Sequence, residues 1–263
     1  MATKIQGHNT FRRKANSLAD FIRIVDEIWE QWLSISEFGF FPWFRGHGDT
    51  AWSLLPGIYR SPYEGMNENN FRMDFKRKAY PYIGGTAREP DTDWEWYFLM
   101  QHNGMPTRLL DWTEGSLIAL YFALRDAPTK KTPAVWMLDP WEFNAKLANQ
   151  EGHIMVPTDK EVQRYLPSLS KNASLLPRPP IAIMPPLNSR RLTSQKGAFT
   201  LNGTANKALE EYKQIRDKLI KIEVSRTKIE LIKSQLALSG ITETTIYPEL
   251  PGLCREIIEI WRE

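Results

Sequence analysis

The stretch that most constrains this chain is Ser116 to Arg125. Its eight inner residues, Leu117, Ile118, Ala119, Leu120, Tyr121, Phe122, Ala123 and Leu124, leave a helix no polar side to turn toward water. A helix apolar nearly all round must be buried on most of its faces, so the rest of the chain has to enclose it. Short apolar runs are the material for that. Ala134-Val135-Trp136-Met137-Leu138 and Ile181-Ala182-Ile183-Met184 read as buried strands, ended by Pro140 and by Pro185 and Pro186. Phe40 to Gly46 reads as a third, running into the glycine-rich turn Arg45-Gly46-His47-Gly48-Asp49. Thr113 is placed to cap the buried helix.

Around these lie elements with a wetter face. Leu18, Phe21, Ile22, Val25, Ile28, Trp29, Trp32 and Leu33 recur at helical spacing behind a Ser17 cap. Asn67 to Tyr80 and Asp93 to Gln101 read as helices separated by the loop Pro81 to Asp93, and Asp159 to Leu176 as a short helix and loop. Ala198 to Leu201 gives a further strand, Lys207 to Lys218 a charged helix, and Ile220 to Val224 the alternation of an edge strand. Helices over Ile229 to Leu238, ending at Gly240, and over Leu253 to Trp261 complete the pattern. Strands and helices interleave irregularly, without regular βαβ units. The fold class is therefore α+β: a single mixed domain over 18–263, its short buried strands forming a small sheet surrounded by helices, after a polar N-terminal arm over 1–17.

With 263 residues, 42% apolar and 25% charged, the chain has the composition of a globular domain, which excludes a disordered tail, a collagen-like fibre and a disulfide scaffold. Cys254 is the single cysteine, so no intrachain disulfide forms, and a reducing, cytoplasmic setting is expected. The start of the chain has no apolar signal region, and no run reaches the roughly 18 residues of a membrane span, so no membrane partner is expected. The four histidines are scattered, and with one cysteine no metal is expected. Phosphate-loop, dinucleotide, zinc-protease and serine-elbow motifs are all missing. A net charge of +3 permits a phosphate or nucleic-acid partner without requiring one.

Three polar blocks remain as carriers of chemistry. The first is Trp43-Phe44-Arg45-Gly46-His47-Gly48-Asp49, with Trp52, Leu55, Pro56, Tyr59 and Arg60 behind it. An arginine fork beside glycines suits a phosphate or carboxylate ligand; equally, Arg45 could be held by a buried acid. The second runs from Gln101-His102 through Thr107-Arg108 and Asp111 to Thr113-Glu114, where free N–H groups ahead of a buried helix can meet an anion. There, Arg108 and Asp111 could instead pair with each other. The third, Ser189 to Thr200, opens a stretch in which Arg190 to Lys233 holds eleven Lys or Arg against five acids, either a phosphate-facing surface or an ordinary solvated face.

Together these blocks resemble the FRG-domain family, through Phe44-Arg45-Gly46, then Gln101-His102-x-Gly104-x-Pro106-Thr107-Arg108-Leu109-Leu110-Asp111-Trp112-Thr113, Ala119-Leu120-Tyr121-Phe122-Ala123 and Arg191-x-x-x-Gln195-x-Gly197-x-Phe199. A closing Ile246-Tyr247-Pro248-Glu249-Leu250-Pro251-Gly252 looks like the family's end, so the resemblance spans about Leu18 to Trp261. It implies a bacterial or phage setting, with phage-defence or toxin roles. The order strand-Arg-Gly, a Thr-containing turn before a helix, then a late acid or amide is in addition similar to ADP-ribosyltransferases. That similarity implies an ADP-ribosyltransferase-like fold and NAD as substrate. Arg45, Asp111 and Gln195 would then be the catalytic group, and Arg45, Gly46, Gln101, His102, Thr107, Arg108 and Thr113 the NAD-binding one. Where the active pattern has a glutamate to stabilise oxocarbenium charge, Gln195 carries a neutral amide, so either another carboxylate such as Asp111 or Glu114 supplies the anion or activity is altered or absent.

Three readings follow, each with its own mark. An enzyme that transfers ADP-ribose to a nucleic-acid or protein acceptor, or cleaves NAD, predicts that Arg45, Arg108, Asp111 and Gln195 converge on one cleft, and a separation of Arg45 from Asp111 beyond ~15 Å would end it. A nucleotide or nucleic-acid binding module needs a continuous basic face including Arg190, Arg191, Lys196 and Lys213. A non-enzymatic sensor or interaction domain, working with a defence-system partner protein, needs an exposed apolar patch of several hundred Å².

Overall fold

The computed structural model describes residues 13–34, 41–64, 67–83, 89–149, 153–166, 176–186 and 190–262, with the backbone alone at 190 and 191. Residues 1–12 of the polar arm, Phe40, and parts of the Pro81–Asp93 and Asp159–Leu176 loops lie outside the described residues.

The α+β expectation holds. Strands β1 (Arg13–Ala15), β2 (Trp43–His47), β3 (Leu109–Thr113), β4 (Ala134–Leu138), β5 (Ile181–Ile183), β6 (Gly197–Leu201) and β7 (Leu219–Val224) form one mixed sheet in the order β1-β7-β4-β2-β3-β6-β5. Among the described residues the helices are α1 (Leu18–Leu33), α2 (Glu68–Ile83), α3 (Asp93–His102), α4 (Ser116–Arg125), α5 (Pro140–Ala148), α6 (Lys160–Gln163), α7 (Arg190–Ser194), α8 (Ile229–Leu238), α9 (Glu243–Ile246) and α10 (Leu250–Ile260).

Side-chain alternation along the strands splits the core by sheet face. On one face Phe44, Val135, Met137, Ile222 and Val224 pack with α1, α4 and α8. On the other, Trp43, Trp112, Trp136 and Leu138 pack with Phe143 of α5 and with Leu209, Tyr212 and Ile215. A third cluster sets α3 (Trp94, Tyr97, Phe98, Met100) on Leu109, Ile181, Ile183, Phe199 and Leu201. The all-apolar helix α4 sits where the sequence requires, with Ile118, Ala119, Leu120, Ala123 and Leu124 buried.

Several local expectations are corrected. Ile220–Val224 is not at the sheet edge, because Arg13–Ala15, read as part of the arm, pair parallel with β7 outside it. Leu109–Thr113 is a strand where the sequence suggested a turn, and the α4 N-cap is Gly115; Thr113 closes β3 instead and accepts from the Gly115 N–H at 3.0 Å. Pro140 does not merely end β4: it is the first residue of α5, where its missing N–H costs nothing, and Asp139 caps that helix through the N–H groups of Trp141 and Glu142. Lys207–Lys218 holds two short 3₁₀ turns, Leu209–Glu211 and Lys213–Ile215, not a charged helix. The Ser17 cap on α1 holds, with its hydroxyl accepting from Asp20 N–H.

The last helix is unusual. Gly252 is its buried residue, pressed on Tyr247 where a Cβ would lie 2.2 Å from the Tyr247 carbonyl oxygen. Arg125 and Arg255 both lie over the Tyr247 ring, at 4.7 and 5.3 Å, which ties α10 to α4. Leu250, Leu253, Ile257, Ile258, Ile260 and Trp261 are exposed.

Candidate functional site

The sheet has a seam. β2 pairs with β4 along its whole length and β3 pairs with β6 along its whole length, but β2 and β3 meet at a single registered pair, Phe44 opposite Thr113. Beyond that pair the two strands part, and backbone groups that a ladder would have satisfied need other partners. Arg45 provides one: its Nη1 donates to the Asp111 carbonyl at 2.5 Å and lies 3.6 Å from the Asp111 carboxylate. By alternation Arg45 shares a face with Trp43, and Asp111 shares one with Leu109 and Thr113. The two meet because the gap lets the guanidinium through.

Around this contact the polar groups converge. Gln101, near the end of α3, donates its amide to both Asp111 carboxylate oxygens at 3.1 and 3.0 Å, and its own carbonyl accepts from the Thr107 hydroxyl. Arg45 Nε donates to His47 Nε2 at 3.2 Å. Arg60 is oriented by a 2.6 Å bond from its Nε to the Leu55 carbonyl, and burial lowers its pKa against the opposing pull of Asp111. Burial likewise lowers that of Arg45, again opposed by Asp111. Trp52 stands edge-on to His47, 6.1 Å between centroids, with its indole exposed.

Burial, then Arg45, Arg60 and Lys221, push the His47 pKa from 6.5 down to about 3, so His47 is a neutral acceptor here and not an acid catalyst. The unfolded chain binds a proton at this residue through the range where the folded one does not, so stability rises with pH between the two values and is lost as pH falls. From pH 6.5 to 5.5, above the range of ordinary carboxylates, the expected loss is about 1 kcal/mol. Urea unfolding of the wild type and His47→Gln at both pH values checks this: the variant should lose most of the slope, and an equal slope would rule His47 out as its source.

The expected site residues do not all reach this place. Arg45, Gln101, Thr107 and Asp111 are brought together. Arg108, expected to bind NAD, is not: it is buried, bonded to Glu68 at 2.6 Å, to the Asn202 carbonyl at 3.2 Å and to the Tyr165 carbonyl, which leaves its fork no room for a ligand. Burial works against its charge, but Glu68 and Tyr97 outweigh it and raise the pKa. Arg108 does not pair with Asp111 either. Gly46 faces α4, not a ligand, since a Cβ there would lie 2.1 Å from the Ala119 carbonyl oxygen and 2.5 Å from the Ala123 nitrogen. His102 is exposed at the last turn of α3.

Gln195 and Thr113 form a neighbouring group. The Thr113 hydroxyl donates to the Gln195 carbonyl at 2.6 Å, and the Gln195 amide donates to the Ile246 carbonyl at 3.3 Å. Glu114 is exposed, with its N–H on the Lys196 carbonyl at 3.1 Å. Sequence reasoning passed over His47 and Arg60 as site residues, although both stand in the first polar block. The available signal was their spacing: His47 lies two residues beyond Arg45 on the same strand face.

The basic stretch is dispersed. Lys218 is buried 3.4 Å from Asp139 and stacks over Trp32, Lys221 lies over Trp136, and Lys207 lies over Tyr212. Lys196 and Lys213 are exposed, and the side chains of Arg190 and Arg191 lie outside the described residues. Among the described residues no group of three or more His, Cys, Asp or Glu side chains could hold a metal ion, and no helix is long and apolar enough to cross a membrane.

No curated protein and no solved structure matches the chain. The FRG domain family model matches residues 42–132, which takes in β2, β3, α4 and every residue of the Arg45 cluster. It stops short of the Gln195 stretch and the closing Ile246–Gly252 segment. Phe44-Arg45-Gly46 on β2 and the Gln101–Thr113 block, which forms the other wall of the seam, both lie inside the matched span, so residues 42–132 of the chain are an FRG domain.

Proposed function

We propose that the seam between β2 and β3 is the NAD site of an ADP-ribosyltransferase-like enzyme, one that transfers ADP-ribose to a macromolecular acceptor or cleaves NAD with water. The observation that carries this reading is the meeting of Arg45 and Asp111 across the parted strands. A cation excess from Arg45, Arg60 and Lys221 suits the pyrophosphate, and the exposed Trp52 indole offers a stacking surface for a base or the nicotinamide ring. Arg45 on β2, Thr113 at the end of β3 and Gln195 two residues ahead of β6 stand on or beside neighbouring strands, which supports this reading.

The chemistry assigns the charge role to Asp111. As the nicotinamide–ribose bond breaks, nicotinamide leaves with the bonding pair and positive charge develops on the ribose, which a fixed carboxylate stabilises. Gln195 has no charge to offer, and its amide is engaged with Ile246. Asp111 is exposed, yet held in place by both amide bonds from Gln101. Water or a nucleophile of the acceptor then adds to the ribose carbon and loses its proton.

The test is nicotinamide release from NAD by the purified protein, alone and with cell lysate or nucleic acid. Asp111→Asn keeps the shape and removes the charge, and is expected to lower release about 100-fold or more; Arg45→Ala should abolish it. Absence of release by the wild type in every mixture, together with no thermal shift by NAD, would refute the proposal. A second reading, an interaction domain, is favoured by the exposed apolar side of α10.

A further inference from the structure

We infer that the outward face of α10 is a homodimer interface, in which the helix packs against its copy in a second chain. At 100° per residue, Leu250, Leu253, Ile257, Ile258, Ile260 and Trp261 fall on one continuous arc of the helix, opposite the buried Gly252. The arc is open: Leu250 is 76% exposed, Ile260 70% and Trp261 81%. Soluble chains rarely leave so much contiguous apolar surface in water unless something covers it.

Three observations choose the occupant. These six side chains present on the order of 700 Å², close to the ~800 Å² per partner of a stable interface, so the helix and its copy suffice without a larger partner. The polar side of α10 carries Arg255 and Arg262 against Glu256 and Glu259, which gives no basic excess for an anionic lipid surface. Arg262 and Glu259 are 3.8 Å apart, and Arg255 is bonded to Glu243 at 2.6 Å. The border of the arc is thus electrically balanced, which suits a two-fold contact in which each surface must complement itself. A strongly charged partner would find nothing to match.

This interface is independent of the NAD reading and is tested without activity. The chain's mass in solution is measured by light scattering after size exclusion, and the expected value is that of two chains. Ile257→Glu, at an exposed position that leaves the fold intact by far-UV circular dichroism, should weaken dimerisation by about 30-fold or more, as for a central interface residue. Cys254 lies on the same arc near mid-helix and is exposed, so a short bismaleimide should link two wild-type chains but not two Cys254→Ser chains. A monomeric wild type, a dimer unmoved by Ile257→Glu, or no cross-linked wild-type dimer would each overturn the inference.

Discussion

Arg108→Ala is expected to destabilise the protein by about 3–5 kcal/mol, the cost of leaving one partner of a buried ion pair without the other. The guanidinium holds Glu68 at 2.6 Å and reaches the Asn202 carbonyl, while the Arg108 N–H donates to Glu68 at 3.1 Å and to the Tyr97 hydroxyl at 2.9 Å. One residue thus joins the start of α2, the middle of α3 and the segment after β6. Removing the side chain leaves the Glu68 carboxylate with the Tyr97 hydroxyl and the backbone N–H of residue 108 but no counter-charge, and leaves the Asn202 and Tyr165 carbonyls without their donor. Thermal unfolding should move down by about 10 °C. The double change Arg108→Met with Glu68→Met should recover much of that loss, because two apolar groups carry no desolvation penalty. A single variant as stable as the wild type would show that the pair contributes nothing.

Gly46→Ala is the second large effect, about 3 kcal/mol or more. The new methyl group would be driven into backbone atoms of α4, the Ala119 carbonyl oxygen at 2.1 Å and the Ala123 nitrogen at 2.5 Å, and backbone cannot swing aside as a side-chain tip can. The helix would have to lift from β2, opening the core formed by Phe44, Ala119, Leu120 and Ala123. Chemical denaturation reads this directly, and a midpoint unchanged from wild type would contradict the packing. The Phe-Arg-Gly triplet therefore divides its labour: phenylalanine and glycine seat α4, and arginine crosses the seam.

The elements that could be read from sequence were those whose burial left an apolar trace. α1 and α8 declare themselves by apolar residues at helical spacing, α4 and β4 by unbroken apolar runs. β3 was hidden because four of its five residues are buried, on both faces, which shows no alternation, and because the exposed Asp111 reads as loop chemistry. β1 gives almost no apolar signal, since Arg13 and Lys14 take their place by pairing alongside Ile222 and Glu223, and only Ala15 enters the core. The candidate site was half legible. Arg45 and Asp111 stood out as charges beside apolar runs, whereas the fate of Arg108 turned on Glu68, forty positions away, which no local pattern could supply. Gly46 was read as open space for a ligand; only the three-dimensional arrangement shows that a helix fills it.

The seam between β2 and β3 is poor in hydrogen bonds but rich in crossings. Following the chain from β1 to β7, it passes from one side of the sheet to the other four times, at β2 to β3, β3 to β4, β4 to β5 and β6 to β7. Neither side is a contiguous piece of polypeptide. The two lips of the cleft are woven from the same thread, so neither can be excised, or melt, while the other stands. A gap narrow enough for one arginine to span can therefore persist in the middle of a sheet without dividing the molecule into two.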